Sequence, residues 1–227
     1  IKYVEGGRYG DIYVNSFARD ENGHIKINDA GNYENAVPVM ASGKYETKVG
    51  NMTSPVTLGW NNTFTWKNFT LYFLIDGRIG GKVMSLTEAD LDLYGLSERS
   101  AQDRLNGERV MQNGKEYILK PLPDGSGNKV SVENYYTTIG ALPVEDHVYN
   151  ATSLRMRDIS LSYDMPNLFG KNQGMTAQFS VKNAFFIYKD SPVDPDISVS
   201  AANGYSGIDC YSLPTTRSFA LTLKFNF

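Results

Sequence analysis

The sequence is poor in the residues that most metal and nucleophile chemistry needs. A single cysteine, Cys210, permits no internal disulfide and no thiolate zinc cluster. Two histidines, His24 and His147, leave little room for His-based metal or triad chemistry. Neither charge sign is in excess: 22 Lys+Arg stand against 25 Asp+Glu, a net charge of −3. That balance gives no basic stripe for nucleic acid. No apolar run reaches the ~18 residues of a membrane helix. No signal peptide is present, and the chain opens Ile1-Lys2-Tyr3 without Met, so a fragment or processed product is expected.

What the chain does have is aromatic surface and turns. Its 15 Tyr, 11 Phe and 2 Trp supply enough apolar area to fold and argue against disorder. With 21 Gly and 9 Pro, the mix reads as β-rich with many turns.

The informative signal is alternation of period two over long segments. In the last one, Phe219, Leu221, Leu223, Phe225 and Phe227 point one way. Ser218, Ala220, Thr222, Lys224 and Asn226 point the other. The pattern recurs over Val56–Lys67, with Leu58, Trp60, Phe64 and Trp66 on the apolar side. It returns over Asn68–Ile79, with Phe69, Leu71, Phe73 and Ile75, and over Ser153–Asp164, with Ile159, Leu161 and Tyr163. Met175–Ile187 is the fifth, with Ala177, Phe179 and Val181. These segments are about twice an ordinary strand of ~5–6 residues and match the ~9–11 that cross a bilayer at a tilt. A long-stranded soluble sheet is the competing reading.

Connections follow a short–long rhythm. Lys67-Asn68 and Met165–Gly174 are short; 80–152 and 188–214 are long. Outer-membrane barrels alternate periplasmic turns with extracellular loops in this way. Strand parity then places residues 1–55 outside as a loop region, with short strands near Asp11–Phe17 and His24–Ile27. Two short helices are expected in the loop after Gly80, capped by Thr87 and Ser97.

Apparent chemistry motifs favour plain readings. Asp20-Glu-Asn-Gly23 starts like a calcium loop. It has His24, Ile25 and Gly31 where an EF-hand needs a ligand, Gly and Glu, so an Asx turn is expected. Glu145-Asp-His147 lacks a marked nucleophile or oxyanion hole. Ser100, Ser126 and Ser206 lack a Gly-x-Ser-x-Gly setting. Glu88, Asp90 and Asp92 suit a helix N-terminus. No catalytic residue, cofactor or metal site is assigned.

Binding candidates are therefore loop tyrosines, which can stack on a sugar or anchor a partner. Tyr135, Tyr136, Tyr205, Tyr211 and the intervening Asp209 are the substrate or partner candidates. Trp66 and Phe69, at the short turn, fit an interfacial aromatic girdle. Arg155 and Arg157 fall on the lipid side by strict alternation, where they could meet lipid phosphates. The polar side nominates Asn61, Thr63, Thr65, Asp158, Ser160, Gln178 and Lys182 as lumen lining.

An ordered set of stretches carries a family resemblance. These are Gly10-Asp-Ile12 with Asp20-Glu-Asn-Gly23 and Asn28-Asp29; Leu58-Gly-Trp-Asn-Asn-Thr-Phe-Thr-Trp-Lys-Asn-Phe69 through Leu71-Tyr-Phe-Leu-Ile-Asp-Gly77; Leu154-Arg-Met-Arg-Asp-Ile-Ser-Leu-Ser-Tyr163; Val181-Lys-Asn-Ala-Phe-Phe186; Asp194-Pro-Asp196; and Pro214 through Phe227. In that order they resemble the C-terminal portion of SusC/RagA-type TonB-dependent outer-membrane transporters of Bacteroidetes.

The resemblance implies an all-β fold: the C-terminal strands of a large antiparallel transmembrane β-barrel, 22-stranded in the family, with long extracellular loops. Its parts would be 1–55 extracellular loop region, 56–79 hairpin, 80–152 long extracellular loop, 153–187 hairpin, 188–214 extracellular loop and 215–227 terminal strand, with the plug domain absent. It further implies a non-enzymatic part in importing oligosaccharide or peptide nutrients across a Gram-negative outer membrane. The partners would be a SusD-like surface lipoprotein, the TonB complex through the missing N-terminal part, and outer-membrane lipid. Phe219, Leu221, Leu223, Phe225 and Phe227 would then form the barrel assembly signal, read by edge pairing. The alternative is a soluble secreted β-sandwich that binds carbohydrate.

Overall fold

A computed structural model describes residues 4–41, 45–141, 144–170, 173–196 and 207–226. The chain divides into two compact units, one built mainly from 1–52 and 83–149, the other mainly from 53–82, 150–197 and 213–227. Among the described residues no helix is long and apolar enough to cross a membrane, which says nothing about strands.

The second unit is one antiparallel sheet of five strands. They are β1 (Val56–Trp66), β2 (Phe69–Ile79), β3 (Ser153–Gly170), β4 (Gln173–Lys189) and β5 (Ser218–Asn226). The order β5-β4-β3-β2-β1 leaves β1 and β5 at the edges. Lys67, with φ 53°, turns β1 into β2.

Register aligns the five alternation patterns. Phe64, Leu71, Leu161, Phe179 and Leu221 form one continuous row across all five strands. Trp66, Phe69, Tyr163, Ala177 and Leu223 form another. On the opposite face the rows read Thr65-Thr70-Ser162-Gln178-Thr222 and Asn61-Leu74-Asp158-Lys182-Ser218. A one-residue slip of any strand would put its apolar set on the wrong face, so the pattern fixes the register.

No second layer covers the apolar face among the described residues. Phe219 is 65% and Leu221 70% exposed, and Phe64, Phe179 and Leu223 are exposed as well. A β-sandwich would bury these side chains against another sheet.

Two expectations about the sheet need correction. The short connection Met165–Gly174 is mostly strand: β3 and β4 run 18 and 17 residues, and Gly170 pairs with Gln173. Strict alternation also fails at Arg157. It is the extra residue of a β-bulge between Met156 and Asp158, matched on β4 by an irregularity at Asn183, whose φ is 50°. The bulge shifts parity by one. Met156 joins the apolar face opposite Ile75, and Arg155 turns to the polar face opposite Asp76.

The first unit is more structured than a loop region. Strands Asp11–Val14 and Thr47–Asn51 pair antiparallel, as do Ile27–Asn28 and Val37–Pro38. Asp20 forms the Asx turn, its Oδ1 accepting the N–H groups of Asn22 and His24 at 2.9 Å. The long segment after Gly80 holds three helices: α1 (Leu86–Leu93), α2 (Glu98–Asn106) and α3 (Val132–Gly140). A meander of Glu108–Gln112, Lys115–Pro121 and Lys129–Ser131 separates α2 from α3. Ser97 caps α2 as expected, but the cap of α1 is Ser85, not Thr87. Ser85 and Glu88 have capping-box spacing, and Ser85 Oγ accepts the Glu88 N–H at 3.0 Å.

The third helix was not anticipated. Its two Thr and two Tyr favour strands over helices. It forms because Ser131 caps it and because Val132, Tyr135, Tyr136, Ile139 and Gly140 fall on one buried face. That face packs against Phe17, Ile25, Leu122, Val130 and Val144.

Candidate functional site

Three sites carry the chemistry of interest: the apolar face of the sheet, a charge cluster on its polar face, and the helical part of the first unit.

At the short-turn end of the apolar face, Trp66 is 68% exposed and Phe69 lies 4.6 Å from Tyr163, centroid to centroid. Lys67 Nζ sits 5.0 Å above the Trp66 ring. An aromatic with a cation beside it combines an apolar body with a wet tip, as at a polar–apolar boundary. On β5, Phe219, Leu221, Leu223 and Phe225 are all exposed. Phe227 lies outside the described residues.

The polar face carries an unanticipated cluster. Arg155, only 3% exposed, donates to Asp194 Oδ1 at 2.6 Å and to Thr215 Oγ1 at 2.8 Å, and pairs with Asp196 at 3.2 Å. Its guanidinium centre lies 3.9 Å from the Phe186 ring centroid. Arg157 donates to Asp76 and, at 2.9 Å, to Asp196; Arg78 pairs with Asp196 at 2.9 Å. Three arginines from the sheet thus meet Asp76 and the two acids of Asp194-Pro-Asp196. Burial works to raise the Asp194 carboxyl. Hydrogen bonds from Thr215 and the Asp196 N–H, with Arg155, bring it below the usual carboxylate range. These contacts correct the lipid-side placement of Arg155 and Arg157: both are occupied by carboxylates. Arginine suits the task because its planar fork serves several acceptors at once.

In the first unit, Asp92 is fully buried at the end of α1. It accepts from Ser97 Oγ at 2.5 Å, from Arg99, and from His147 Nε2 at 2.9 Å. Burial alone would raise its carboxyl, but these donors hold it below its ordinary value. Arg99, although partly buried, is driven up by Asp92. Glu145, at the start of the same segment as His147, pairs with Arg19 at 2.7 Å. The network holds together α1, α2 and residues 145–147; it presents no nucleophile. No group of His, Cys, Asp and Glu among the described residues could hold a metal ion.

Here the binding candidates separate. Tyr135 and Tyr136 are 2% and 3% exposed on α3, core residues of a helix rather than open loop residues. Their hydroxyls donate to Asp146 and Asp103, and burial pushes both phenols up. Asp209 is also buried, accepting from the Ser85 Oγ that caps α1, at 2.7 Å. Tyr211 is the one open member of this set among the described residues, at 64% exposure. Its N–H donates to Thr87 Oγ1 at 2.8 Å, and its hydroxyl donates to Asp90, which pushes the phenol up to about 12. Tyr205 lies outside the described residues.

A cavity of about 310 Å³ opens beside α1, α2 and α3, lined in part by Tyr94, Gly95, Arg104, Glu133, Tyr136 and Thr137. Nothing in the sequence singled it out, because its lining comes from three helices whose packing no local pattern encodes.

No protein-family model matches the chain. It is 23% identical over 187 residues to TonB-dependent receptor P3 of Formosa agariphila, covering 79% of this chain and 17% of that receptor. By structure it is similar to the RagAB peptide transporter, with a TM-score of 0.57 and 15% identity over 96% of this chain and 23% of that one. The RagAB peptide importer in its open-open state gives a TM-score of 0.55 at 15% identity, over 95% and 22%. The fold is therefore that of part of such a transporter chain, and the ordered motifs pointed to the same relatives. The sequence spans about a sixth of the receptor it matches.

Proposed function

We propose that this chain is wall and loop material from the C-terminal part of an outer-membrane active transporter that imports oligosaccharide or peptide nutrients. It works with a SusD-like surface lipoprotein and draws energy through TonB contacts made by other parts of the protein. The carrying observation is the uncovered apolar face: five long strands present continuous rows of Phe, Leu, Trp and Tyr that nothing among the described residues covers. Acyl chains are the medium that accepts such a face while every interior backbone group stays paired in the ladder.

In this reading the polar rows from Asn61, Thr63, Thr65, Asp158, Ser160, Gln178 and Lys182 line the lumen. The aromatic ends at Trp66 and Phe69 sit at the interface. The free edges of β1 and β5 meet further strands of the barrel. The last strand, through Phe219, Leu221, Leu223, Phe225 and Phe227, guides assembly. Tyr211 stands as the open partner or substrate contact, with Tyr205 beside it in sequence. The role is binding and passage, not bond chemistry.

The test is extraction of the full-length protein from its membrane. Release only by detergent, with gel migration that changes on heating, supports the barrel. Ready solubility without detergent would overturn the reading in favour of a secreted β-sandwich. Uptake of labelled peptides and oligosaccharides by cells with and without the protein then identifies the cargo.

A further inference from the structure

The cavity beside the three helices has a charge arrangement that selects its ligand. Arg104 of α2 is fixed at its wall: Nη2 donates to the Gly95 carbonyl at 2.8 Å and Nη1 to Ser100 Oγ at 3.3 Å. Gly95, with φ +67°, permits this approach, since a Cβ there would lie 2.9 Å from Arg104 Nη1. No carboxylate pairs with Arg104 among the described residues, and its remaining N–H groups are free to donate. Glu133, in the first turn of α3, lines the same cavity and is exposed, with no ion pair or side-chain hydrogen bond among the described residues. The two are not paired with each other. Tyr94, 73% exposed, supplies an apolar ring at the rim. The other carboxylate of the lining, Asp92, is already satisfied by Ser97, Arg99 and His147.

We propose that this cavity is a binding site for a small zwitterion, a dipeptide or free amino acid. The ligand carboxylate pairs with Arg104, its ammonium with Glu133, and its side chain lies on Tyr94. A neutral sugar offers neither of the charge-assisted bonds that the exposed Arg104 and Glu133 can make. A phosphate would find Arg104 but meet Glu133 as a like charge. A small zwitterion answers both, and the volume lies at the lower end of small-molecule sites, about 300–1,000 Å³.

The experiment is titration of glycyl-leucine into the full-length protein in detergent, followed by calorimetry and ligand-observed NMR. Saturable binding with a Kd of about 1 mM or tighter is expected. R104Q and E133Q should each weaken it roughly tenfold or more, and so should N-acetylation or C-amidation of the probe. T137W, which fills the cavity from an exposed position while leaving both charges in place, should abolish it. T137W also carries the test if R104Q fails to assemble, since Arg104 braces Gly95. Absence of saturable binding overturns the proposal. So does binding that all three substitutions leave unchanged, because it then belongs to another site. Heat-dependent gel migration, measured on each variant, keeps a folding failure and a failure of the barrel reading separate from loss of this site.

Discussion

Removing Arg155 should free the segment around Asp194 from the sheet. In R155M the Asp194 carboxylate loses its 2.6 Å partner, Thr215 Oγ1 loses a 2.8 Å donor, and the Phe186 ring loses the nearer of its two cations, keeping Lys189 at 5.6 Å. Breaking one side of a buried ion pair costs about 3–5 kcal/mol, because the remaining charge stays desolvated. Asp194 keeps the Thr215 hydroxyl at 2.5 Å and its N–H at 3.2 Å, so the lower end, about 3 kcal/mol, applies. That corresponds to about a 100-fold rise in the open population. Native-state hydrogen exchange in the assembled protein reads it at two amides that donate to Asp194, those of Asp196 and Thr215. Both should exchange about 100-fold faster in R155M, while ladder amides between β3 and β4 stay unchanged. The double variant R155M/D194L should recover most of the protection, since an apolar pair leaves no orphan charge. Exchange in R155M within about threefold of the parent, on that same scale, would refute the argument that the cluster pins the segment. Acid should act similarly. The Asp194 carboxyl titrates below its ordinary value of 3.8, so its contribution is present above that pH and lost as pH falls through the depressed value.

Further outcomes follow from the same geometry. F179R on the apolar face should cost roughly 2–4 kcal/mol at mid-membrane and sharply lower the assembled, heat-modifiable fraction, whereas Q178R on the opposite face should assemble normally; equal behaviour of the two would contradict the face assignment. D92A should destabilise the helical part of the first unit by about 3–5 kcal/mol, because Arg99 and His147 lose their common buried acceptor; faster limited proteolysis between α1 and α3 measures it. G140A should drive α1 from α3, as a Cβ would lie 2.4 Å from Leu93 N and 2.6 Å from the Ala89 carbonyl. A loss of about 1–3 kcal/mol in denaturant melts is expected. Hydrogen bonds from Asn51 and Lys48 lower the Asp11 carboxyl from 3.8 to about 2. Pairing of Asp11–Val14 with Thr47–Asn51 should hold at neutral pH and weaken as pH falls through about 2; titration of Asp11 by NMR at an ordinary carboxylate midpoint would count against those bonds.

The strands and their faces were readable in advance because a strand has a period of two and a fixed partner on each side. Leu58 through Trp66, broken only at Asn62, and Phe219 through Phe225 alternate without help from distant residues, and pairing them in register completes the face. Ser97 as a cap was legible because capping acts within one helical turn. The misplaced arginines mark the limit of that logic. Nothing local announces the bulge at Arg157, which the ladder with β2 and β4 decides, and one extra residue reverses the side on which Arg155 stands. Tyr135 and Tyr136 read as open loop tyrosines, although their spacing with Val132 and Ile139 and the Ser131 cap were visible signals of a buried helix face. Asp209 and Asp194 became buried acceptors only when segments about 120 and 40 residues away in sequence reached them. The sequence by itself determined which side of each regular strand is greasy, since alternation is a property of the backbone. The tertiary structure decided which charges are answered and which remain open, since pairing is a property of what packs alongside.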